Sequence, residues 1–375
     1  MKNDIMPDVR KNTIIKSKVF VAMSGGVDSS VAAALLKKSG NFKVVGVFMK
    51  CWSAFDQCAI ERDASDARRV ADKLDIPFHI FDFEKEYREK VFEYMVKEYG
   101  AGRTPNPDVM CNKEIKFGIF LEKALSLGAD FVATGHYIKI QNSKFKSQNN
   151  NAKFKIIYSL LEAKDKNKDQ SYFLWTLTQD QLKHVLFPIG DYTKPEVRQM
   201  ARQFKLPTAE KKDSQGLCFV GKIDFAEFLK SLISGRKGAV IGADGRKIGE
   251  HDGAEFYTIG QRHGLNLGNI NTKPHYVAEK NIKTNVIVVT EKNDPLLYKK
   301  ETIAGDVNWI AGKMPKLPLK CQARVRYRQP LQEAKIVNHE LGIKVIFNKP
   351  QKAVAPGQSV VFYDNNQMLG GGIIC

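Results

Sequence analysis

The sequence lacks the features that direct a chain into or across a membrane. None of its apolar runs reaches the roughly 18 residues that a membrane helix needs. Residues 1–17 contain no apolar stretch as long as that of a secretory signal, and they include Asp4 and Asp8, which disfavour a mitochondrial address. We therefore expect no membrane partner, a loose extension over residues 1–17 and a cytoplasmic location.

Cysteine is sparse and never occurs as a CxxC pair. This excludes the usual spacing of zinc ribbons and of local iron–sulfur ligands. In a cytoplasmic chain of 375 residues the ordinary expectation is reduced, mostly buried thiols for all six cysteines, which are Cys51, Cys58, Cys111, Cys218, Cys321 and Cys375.

Acidic residues are few relative to basic ones. There are 41 Asp and Glu against 59 Lys and Arg, which gives a formal net charge of +18. Such an excess favours a polyanionic partner, and nucleic acid is the first candidate. A lysine-rich proteome would produce the same excess, and charge alone does not distinguish DNA, RNA and an acidic membrane surface.

Short apolar runs alternate with helical patterns in the first half of the chain. A helix ending at Gly40 and another beginning after Thr193, with Pro195 in its first turn, belong to this pattern. Alternating strands and helices predict a doubly wound α/β domain with a parallel sheet, whose ligands bind beyond the carboxyl ends of the strands. Strands are predicted at 18–23, 43–50, 78–83 and 129–137, and further helices at 62–77 and 85–99.

The composition changes after about residue 222. The first domain, 18–222, includes a polar segment at 141–155 that we interpret as a surface loop or hairpin tip. Residues 223–298 are rich in glycine and β-branched residues, with an ADG turn, and predict a small, mostly β central domain. Residues 299–375 contain recurring short strands, which predict a C-terminal antiparallel β-barrel.

The string SGGVDS, residues 24–29, lies between the first predicted strand and helix. Two glycines let the backbone approach a phosphate, and the amides that follow stand at the positive end of a helix. No GK[ST] follows, so the segment is not a Walker A loop. A bare glycine turn is the alternative interpretation, which the full string makes improbable.

Two cysteines stand in polar segments that do not suit a hydrophobic core. In TPNPDVMCN, Asp108 is placed to cap a helix and Cys111 to fall in its first turn, where amides and the helix dipole stabilise a thiolate. In DSQGLCFVG, Cys218 is flanked by glycines and by Lys211, Lys212 and Lys222, which also lower a thiol pKa.

These segments together resemble the family of bacterial tRNA-specific 2-thiouridylases, within the N-type ATP pyrophosphatases. The similarity covers about residues 18–371, and only the N-terminal extension and the Asn/Lys-rich stretch near residue 150 depart from the family pattern. It is carried by blocks in the family order: AMSGGVDS, TPNPDVMCNKEIKFG, ATGHY, KDQSYFL, DSQGLCFVG, TIGQRHGL, RVRYRQ and APGQSVVFY.

The resemblance implies a PP-loop fold (adenine nucleotide α-hydrolase-like) and an ATP-dependent sulfur transfer. ATP, with Mg²⁺ expected on charge grounds, adenylates O2 of the wobble uridine. A sulfur-relay protein loads Cys218 as a persulfide, and Asp108 serves as general acid–base. Cys111 either releases sulfide or closes a disulfide with Cys218. The implied ATP contacts are Ala22, Met23, Ser24, Gly25, Gly26, Val27, Asp28, Ser29, Met49 and Gly135.

The implied nucleic-acid partner is the anticodon arm of tRNA, and DNA is not expected. Its wobble base must leave the stack to reach the site. If RVRYR is a strand, Arg324, Arg326 and Arg328 lie on one face as a phosphate-tracking stripe. The implied tRNA contacts are Asn106, Pro107, Asp108, His136, Lys168, Asp169, Gln170, Arg326, Tyr327 and Gln358.

Two other interpretations stay open. The first is a different PP-loop adenylating enzyme, such as argininosuccinate or lysidine synthetase, which needs neither cysteine. The second is a non-catalytic, basic RNA-binding protein on the same fold, which would bind RNA without consuming ATP. An iron–sulfur thiolase is disfavoured because it needs CxxC.

Overall fold

The structure is a computed structural model of the protein. The predicted N-terminal extension, residues 1–17, lies almost wholly outside the residues that the structure describes. The described residues are 16–52, 57–146, 154–212, 225–265, 267 and 273–375.

The first domain is built as strands followed by crossover helices. Strand β1 ends at the SGGVDS string, and the helix after it ends where Gly40 adopts φ +71°, as predicted. The first elements are β1 Ser17–Ala22, α1 Val27–Ser39, β2 Phe42–Lys50, α2 Gln57–Lys73, β3 Phe78–Asp82, α3 Glu84–Tyr87, a π-helical segment Arg88–Phe92 and α4 Glu93–Gly100.

A second helical stretch leads back to the sheet. The predicted strand at 129–137 is shorter than expected, because it covers only Phe131–Ala133 and the chain enters its next strand at Ile138. These elements are α5 Pro107–Met110, a π-helical segment Cys111–Ile119, α6 Phe120–Ser126 and β4 Phe131–Ala133.

The polar segment at 141–155 belongs to a β-hairpin, as one of its two interpretations predicted. Its strands are β5 Ile138–Lys146 and β6 Phe154–Glu162, and its tip lies outside the described residues. The domain ends with α7 Gln179–Leu182, β7 Val185–Leu186 and α8 Lys194–Gln203.

The sheet of this domain has the order β3-β2-β1-β4-β7, with every neighbouring pair parallel. This confirms the doubly wound α/β prediction. Thr193 caps α8 through a capping box with Glu196, and Pro195 stands in the first turn as predicted. Among the described residues, no helix is both long and apolar enough to span a bilayer.

The middle of the chain forms a four-stranded sheet of order β10-β11-β8-β9. Gly245 turns the predicted ADG hairpin with φ +82°. The elements are α9 Phe225–Leu232, β8 Gly238–Gly242, β9 Lys247–His251, β10 His275–Asn281 and β11 Val286–Glu291.

The C-terminal strands close into an antiparallel barrel, as predicted. The order is β12-β15-β14-β13-β16-β17, and β12 pairs with β17 to complete the ring. The β5–β6 hairpin of the first domain pairs with β17 and so joins the barrel sheet. The strands are β12 Tyr298–Trp309, β13 Leu319–Arg324, β14 Gln332–His339, β15 Gly342–Lys352, β16 Ser359–Asp364 and β17 Gln367–Ile374.

Candidate active site

The SGGVDS loop presents backbone amides at the carboxyl edge of the parallel sheet. Helix α1 begins directly after Gly26, whose extended backbone carries no side chain to cap the first amides. Gly25 has φ +70°, and a Cβ on it would overlap the carbonyl oxygen of Asp63. The close approach and the left-handed backbone require glycine, and the start of α1, which has no side-chain cap, suits an anion.

The two serines of this string, and Ser30 directly after it, form hydrogen bonds that fix the conformation of the loop. The backbone N–H of Ser24 donates to Ser29 Oγ at 3.1 Å. The hydroxyls of Ser29 and Ser30 both donate to the carbonyl of Gly26, at 3.2 and 2.7 Å. Ser29 and Ser30 are buried, whereas Ser24 is exposed, so Ser24 is the hydroxyl of the loop that faces solvent.

Asp28 has partners that sequence reasoning missed. The ammonium of Lys194 donates to both carboxylate oxygens, at 2.7 and 2.9 Å. The Tyr137 hydroxyl donates to Oδ1 at 2.8 Å. Tyr137 ends the ATGHY block and could have been suspected from it, whereas Lys194 comes from a segment that was interpreted only as a helix start.

The structure brings the other predicted ATP segments to this loop. Gly135 lies against the start of α1, where an added Cβ would stand 2.6 Å from the Ser29 nitrogen. Met23 is buried, and its N–H donates to the Val47 carbonyl at 2.8 Å. Met49 is buried in the same hydrophobic cluster as Ala22. Val27 is buried too.

The helix of the cysteine block begins two residues earlier than the sequence suggested. Asn106, not Asp108, is the N-cap: its Oδ1 accepts from the Val109 N–H at 3.2 Å, and Pro107 occupies the first helical position. Asp108 is the second helical residue, so its predicted capping role is wrong. Cys111 therefore falls just beyond the first turn, with its backbone N–H donating to the carbonyls of Pro107 and Asp108.

Cys111 is fully buried, in the cluster that also holds Met49 and Cys51. A tRNA base can reach this thiol only if the side chains covering it move aside. Cys111 opens the π-helical segment, a geometry that is frequent at functional sites. The next residue, Asn112, donates from Nδ2 to the Asp108 carbonyl at 3.0 Å, and its buried Oδ1 accepts no hydrogen bond.

Cys218 lies outside the described residues, which resume at 225. The described residues that precede it in the chain are hydrogen-bonded to the SGGVDS loop and its neighbours. Thr208 Oγ1 donates to Ser30 Oγ at 3.0 Å. Lys211 Nζ donates to Asp63 at 2.7 Å and to Asp66 at 2.6 Å. Residues 208–211 are thus fixed beside the SGGVDS loop.

His136, a predicted tRNA contact, is buried. Its Nδ1 is hydrogen-bonded to Thr134 Oγ1 at 2.8 Å, and the rings of Phe117 and Phe187 lie beside it. Burial, and secondarily the charge of Lys116, holds the pKa of His136 well below its usual value. The imidazole is neutral at pH 7.

The segment 168–170 connects the residues around His136 to the C-terminal barrel. Gln170 exchanges two hydrogen bonds with the Tyr137 backbone, each of 2.9 Å. Asp169 is almost completely buried and accepts from Ser171 Oγ at 2.6 Å. Burial raises the pKa of the Asp169 carboxyl. Lys168 is partly buried.

The predicted arginine stripe is wrong. Strand β13 ends at Arg324, and Arg326 and Arg328 lie in the turn that follows, so the three side chains share no strand face. Arg324 is buried in ion pairs with Glu162 and, at 3.8 Å, with Asp169. The guanidinium of Arg326 donates to the carbonyls of Ile259 and Ala353, each at 2.8 Å.

We expect Arg324→Leu to lower the free energy of unfolding by about 3–5 kcal/mol, because it leaves Glu162 and Asp169 buried without their arginine. Urea denaturation measures the loss. Arg202→Leu is the control, since its pair with Glu210 at 2.7 Å is solvent-exposed and contributes little. Equal losses in the two variants would contradict the structural role of Arg324.

The barrel also contacts the cysteine block directly. Gln358 Nε2 donates to the carbonyls of Thr104 and Pro105, at 3.0 and 3.1 Å. The N–H of Thr104 in turn donates to the Pro356 carbonyl at 2.8 Å. Tyr327 packs on Phe173 with ring centroids 4.5 Å apart. Residues predicted to contact tRNA therefore join the barrel to the block that carries Cys111.

Three protein-family models match the chain. Residues 17–222 match a tRNA methyl transferase HUP domain, 226–291 a tRNA methyl transferase PRC-barrel domain, and 299–374 an aminomethyltransferase β-barrel domain.

Curated relatives match over almost the whole length. The tRNA-specific 2-thiouridylase MnmA of Francisella philomiragia is 45% identical over 370 residues, which covers 96% of this chain and 99% of the relative. The enzyme named tRNA-specific 2-thiouridylase MnmA 2 in Geobacillus kaustophilus is 46% identical, and the match covers 96% of this chain and 95% of the relative. The tRNA-specific 2-thiouridylase MnmA of Chlamydia abortus is 47% identical, and the match covers 95% of this chain and 96% of the relative.

Proposed function

The chain belongs to the family of tRNA-specific 2-thiouridylases, and we propose that it uses ATP to activate O2 of the wobble uridine of a tRNA and then exchanges that oxygen for sulfur. The enzyme is a sulfurtransferase that acts on tRNA. The family-model names mention methyl transfer, but the relatives are thiouridylases, and a glycine loop at an uncapped helix start suits ATP phosphates.

One observation carries this proposal: the ATP loop and the Cys111 block lie at the same edge of the parallel sheet. Gly135 packs against the first turn of α1, so the loop stands at the carboxyl ends of β1 and β4. Cys111 packs in one buried cluster with Ala22 at the carboxyl end of β1 and with Met49 and Cys51 at the carboxyl end of β2, so its block reaches that edge as well. A base held by residues 106–108 would therefore stand near the activated phosphate.

The chemistry divides into two displacements. O2 of the uridine attacks the α-phosphorus of ATP and pyrophosphate leaves, which turns a poor leaving group into AMP. The terminal sulfur of a persulfide on Cys218 then attacks C2, and AMP departs with the former O2. The thiolate of Cys111 then attacks the Cys218 sulfur, which breaks the sulfur–sulfur bond, leaves the outer sulfur on C2 and closes a Cys111–Cys218 disulfide. In the alternative order the same attack comes first, closes the same disulfide and releases sulfide, which then attacks C2 in place of the persulfide. Asp108, which is partly buried and accepts the Cys111 N–H at its backbone carbonyl, would take the proton of the attacking Cys111 thiol.

Magnesium would be held mainly by the phosphates of ATP. Asp28 offers the carboxylate oxygens that this ion prefers, at the start of the phosphate loop. Among the described residues there is no group of three or more His, Cys, Asp or Glu side chains arranged to bind a metal. A single carboxylate is enough for a magnesium ion that arrives bound to ATP. The ion would neutralise part of the phosphate charge.

The tRNA would be held by the first domain and the barrel together. The contacts Gln358–Thr104 and Arg324–Asp169 support this, because they join predicted tRNA-binding segments of both. Sulfur would be delivered by a relay protein, and a tRNA substrate is consistent with a cytoplasmic reaction. The proposed contacts are Asn106, Pro107, Asp108, His136, Lys168, Asp169, Gln170, Arg326, Tyr327 and Gln358.

The test is a count of products on an unmodified tRNA transcript supplied with ATP, magnesium and a persulfide donor. We expect AMP, pyrophosphate and 2-thiouridine in equal amounts, and none without ATP. AMP formed with no sulfur in the RNA would identify another adenylating enzyme. RNA binding with no AMP at all would identify a non-catalytic RNA-binding protein.

A further inference from the structure

Lys194 is a buried lysine that the fold directs at the phosphate loop. It is the first residue of α8 and is 8% exposed. Its backbone N–H donates to Asp165 Oδ2 at 2.9 Å, and the capping box of Thr193 and Glu196 fixes the start of the helix. The stem of this side chain therefore begins from a rigid position, and only its flexible end is adjustable.

The partner of Lys194 stands in an unusual place for a carboxylate. Asp28 follows the two glycines of the loop, where a nucleotide would bring several negative charges. A carboxylate there opposes phosphate binding unless a cation compensates it. Lys194 provides that cation with Nζ at 2.7 and 2.9 Å from the two oxygens of Asp28, and the Tyr137 hydroxyl binds Oδ1 from another side.

We infer that Lys194 is a ligand of the ATP phosphates. Its ammonium binds Asp28 in this structure and turns to a phosphate oxygen when ATP enters, while Asp28 becomes available to magnesium. Lysine suits this exchange because it carries a compact charge on four flexible carbons. The inference rests on the proposed use of ATP at residues 24–29, and it names a residue outside that string.

The experiment is equilibrium dialysis of labelled ATP and magnesium in the absence of tRNA. We expect Lys194→Met to weaken ATP binding about 10- to 100-fold, as the loss of a charge-assisted hydrogen bond predicts. Lys194→Arg should keep part of the affinity. Lys164→Met is the matched control, because Lys164 pairs with Glu196 of the same helix at 2.7 Å but is half exposed. Its ATP affinity should equal that of the wild type.

The double variant separates a phosphate ligand from a mere neutraliser of Asp28. With Asp28→Asn in place, no charge needs neutralising, and Lys194→Met should still weaken ATP binding about tenfold. If Lys194→Met caused no further loss of ATP affinity in the Asp28→Asn background, the inference would be overturned. Melting temperatures show whether each variant folds.

The dialysis does not depend on thiolation. Lys194-dependent ATP binding in a protein that makes no 2-thiouridine would overturn the proposed function and leave the inference standing. Wild-type protein that binds no ATP would overturn both.

Discussion

Serine in place of Cys111 is expected to lower 2-thiouridine formation by more than about a thousandfold, because the reaction loses the thiol that breaks the sulfur–sulfur bond. Adenylation does not use this thiol, so ATP binding should stay unchanged. The measurement is mass spectrometry of nucleosides from tRNA, with sulfur supplied as a persulfide because free sulfide bypasses the relay.

Cys51→Ser is the matched control for this variant. Cys51 is buried as deeply as Cys111 and belongs to the same hydrophobic cluster, so both variants place a hydroxyl in similar surroundings. We expect Cys51→Ser to lose stability but to keep thiolation per folded molecule. Similar loss of thiolation in the two variants would show that Cys111 acts through packing alone.

Alanine at Gly25 is expected to weaken ATP binding by more than about a hundredfold, since a displaced loop misplaces the phosphates. Its Cβ would overlap the Asp63 carbonyl oxygen, and φ +70° adds strain of about 1–2 kcal/mol for any residue with a Cβ. Dialysis with labelled ATP measures the effect, and 2-thiouridine formation should fall with it.

Gly40→Ala separates backbone strain from the overlap. Gly40 ends the same helix with φ +71°, and nothing lies within 4 Å of an added Cβ. The variant should therefore lose about 1 kcal/mol of stability and bind ATP normally. Weakened ATP binding in Gly40→Ala would mean that the effect at Gly25 comes from a less stable helix and not from the loop.

Local patterns predicted the first domain well, because its strands and helices follow each other along the chain. The N-cap of the cysteine block was predicted wrongly because both Asn106 and Asp108 are good caps. Pro107 carried the deciding signal, since proline is favoured at the first helical position and points to Asn106 as the cap.

Contacts between distant segments were beyond prediction. RVRYR alternates like a strand, yet the strand ends at Arg324, which turns inward to pair with Glu162 from the β5–β6 hairpin. The pair between Asp28 and Lys194 spans 166 positions and leaves no local pattern. A resemblance based on motifs names the residues that match, and only packing shows which other side chains complete the site.

The most direct test of the central claim is to map sulfur in a tRNA transcript after reaction with the wild-type protein, ATP, magnesium and a persulfide donor. Digestion into oligonucleotides followed by mass spectrometry locates the modified base. We predict one sulfur in place of oxygen at the wobble uridine, and only when ATP is present. Unmodified wobble uridine, despite consumption of ATP, would contradict the account.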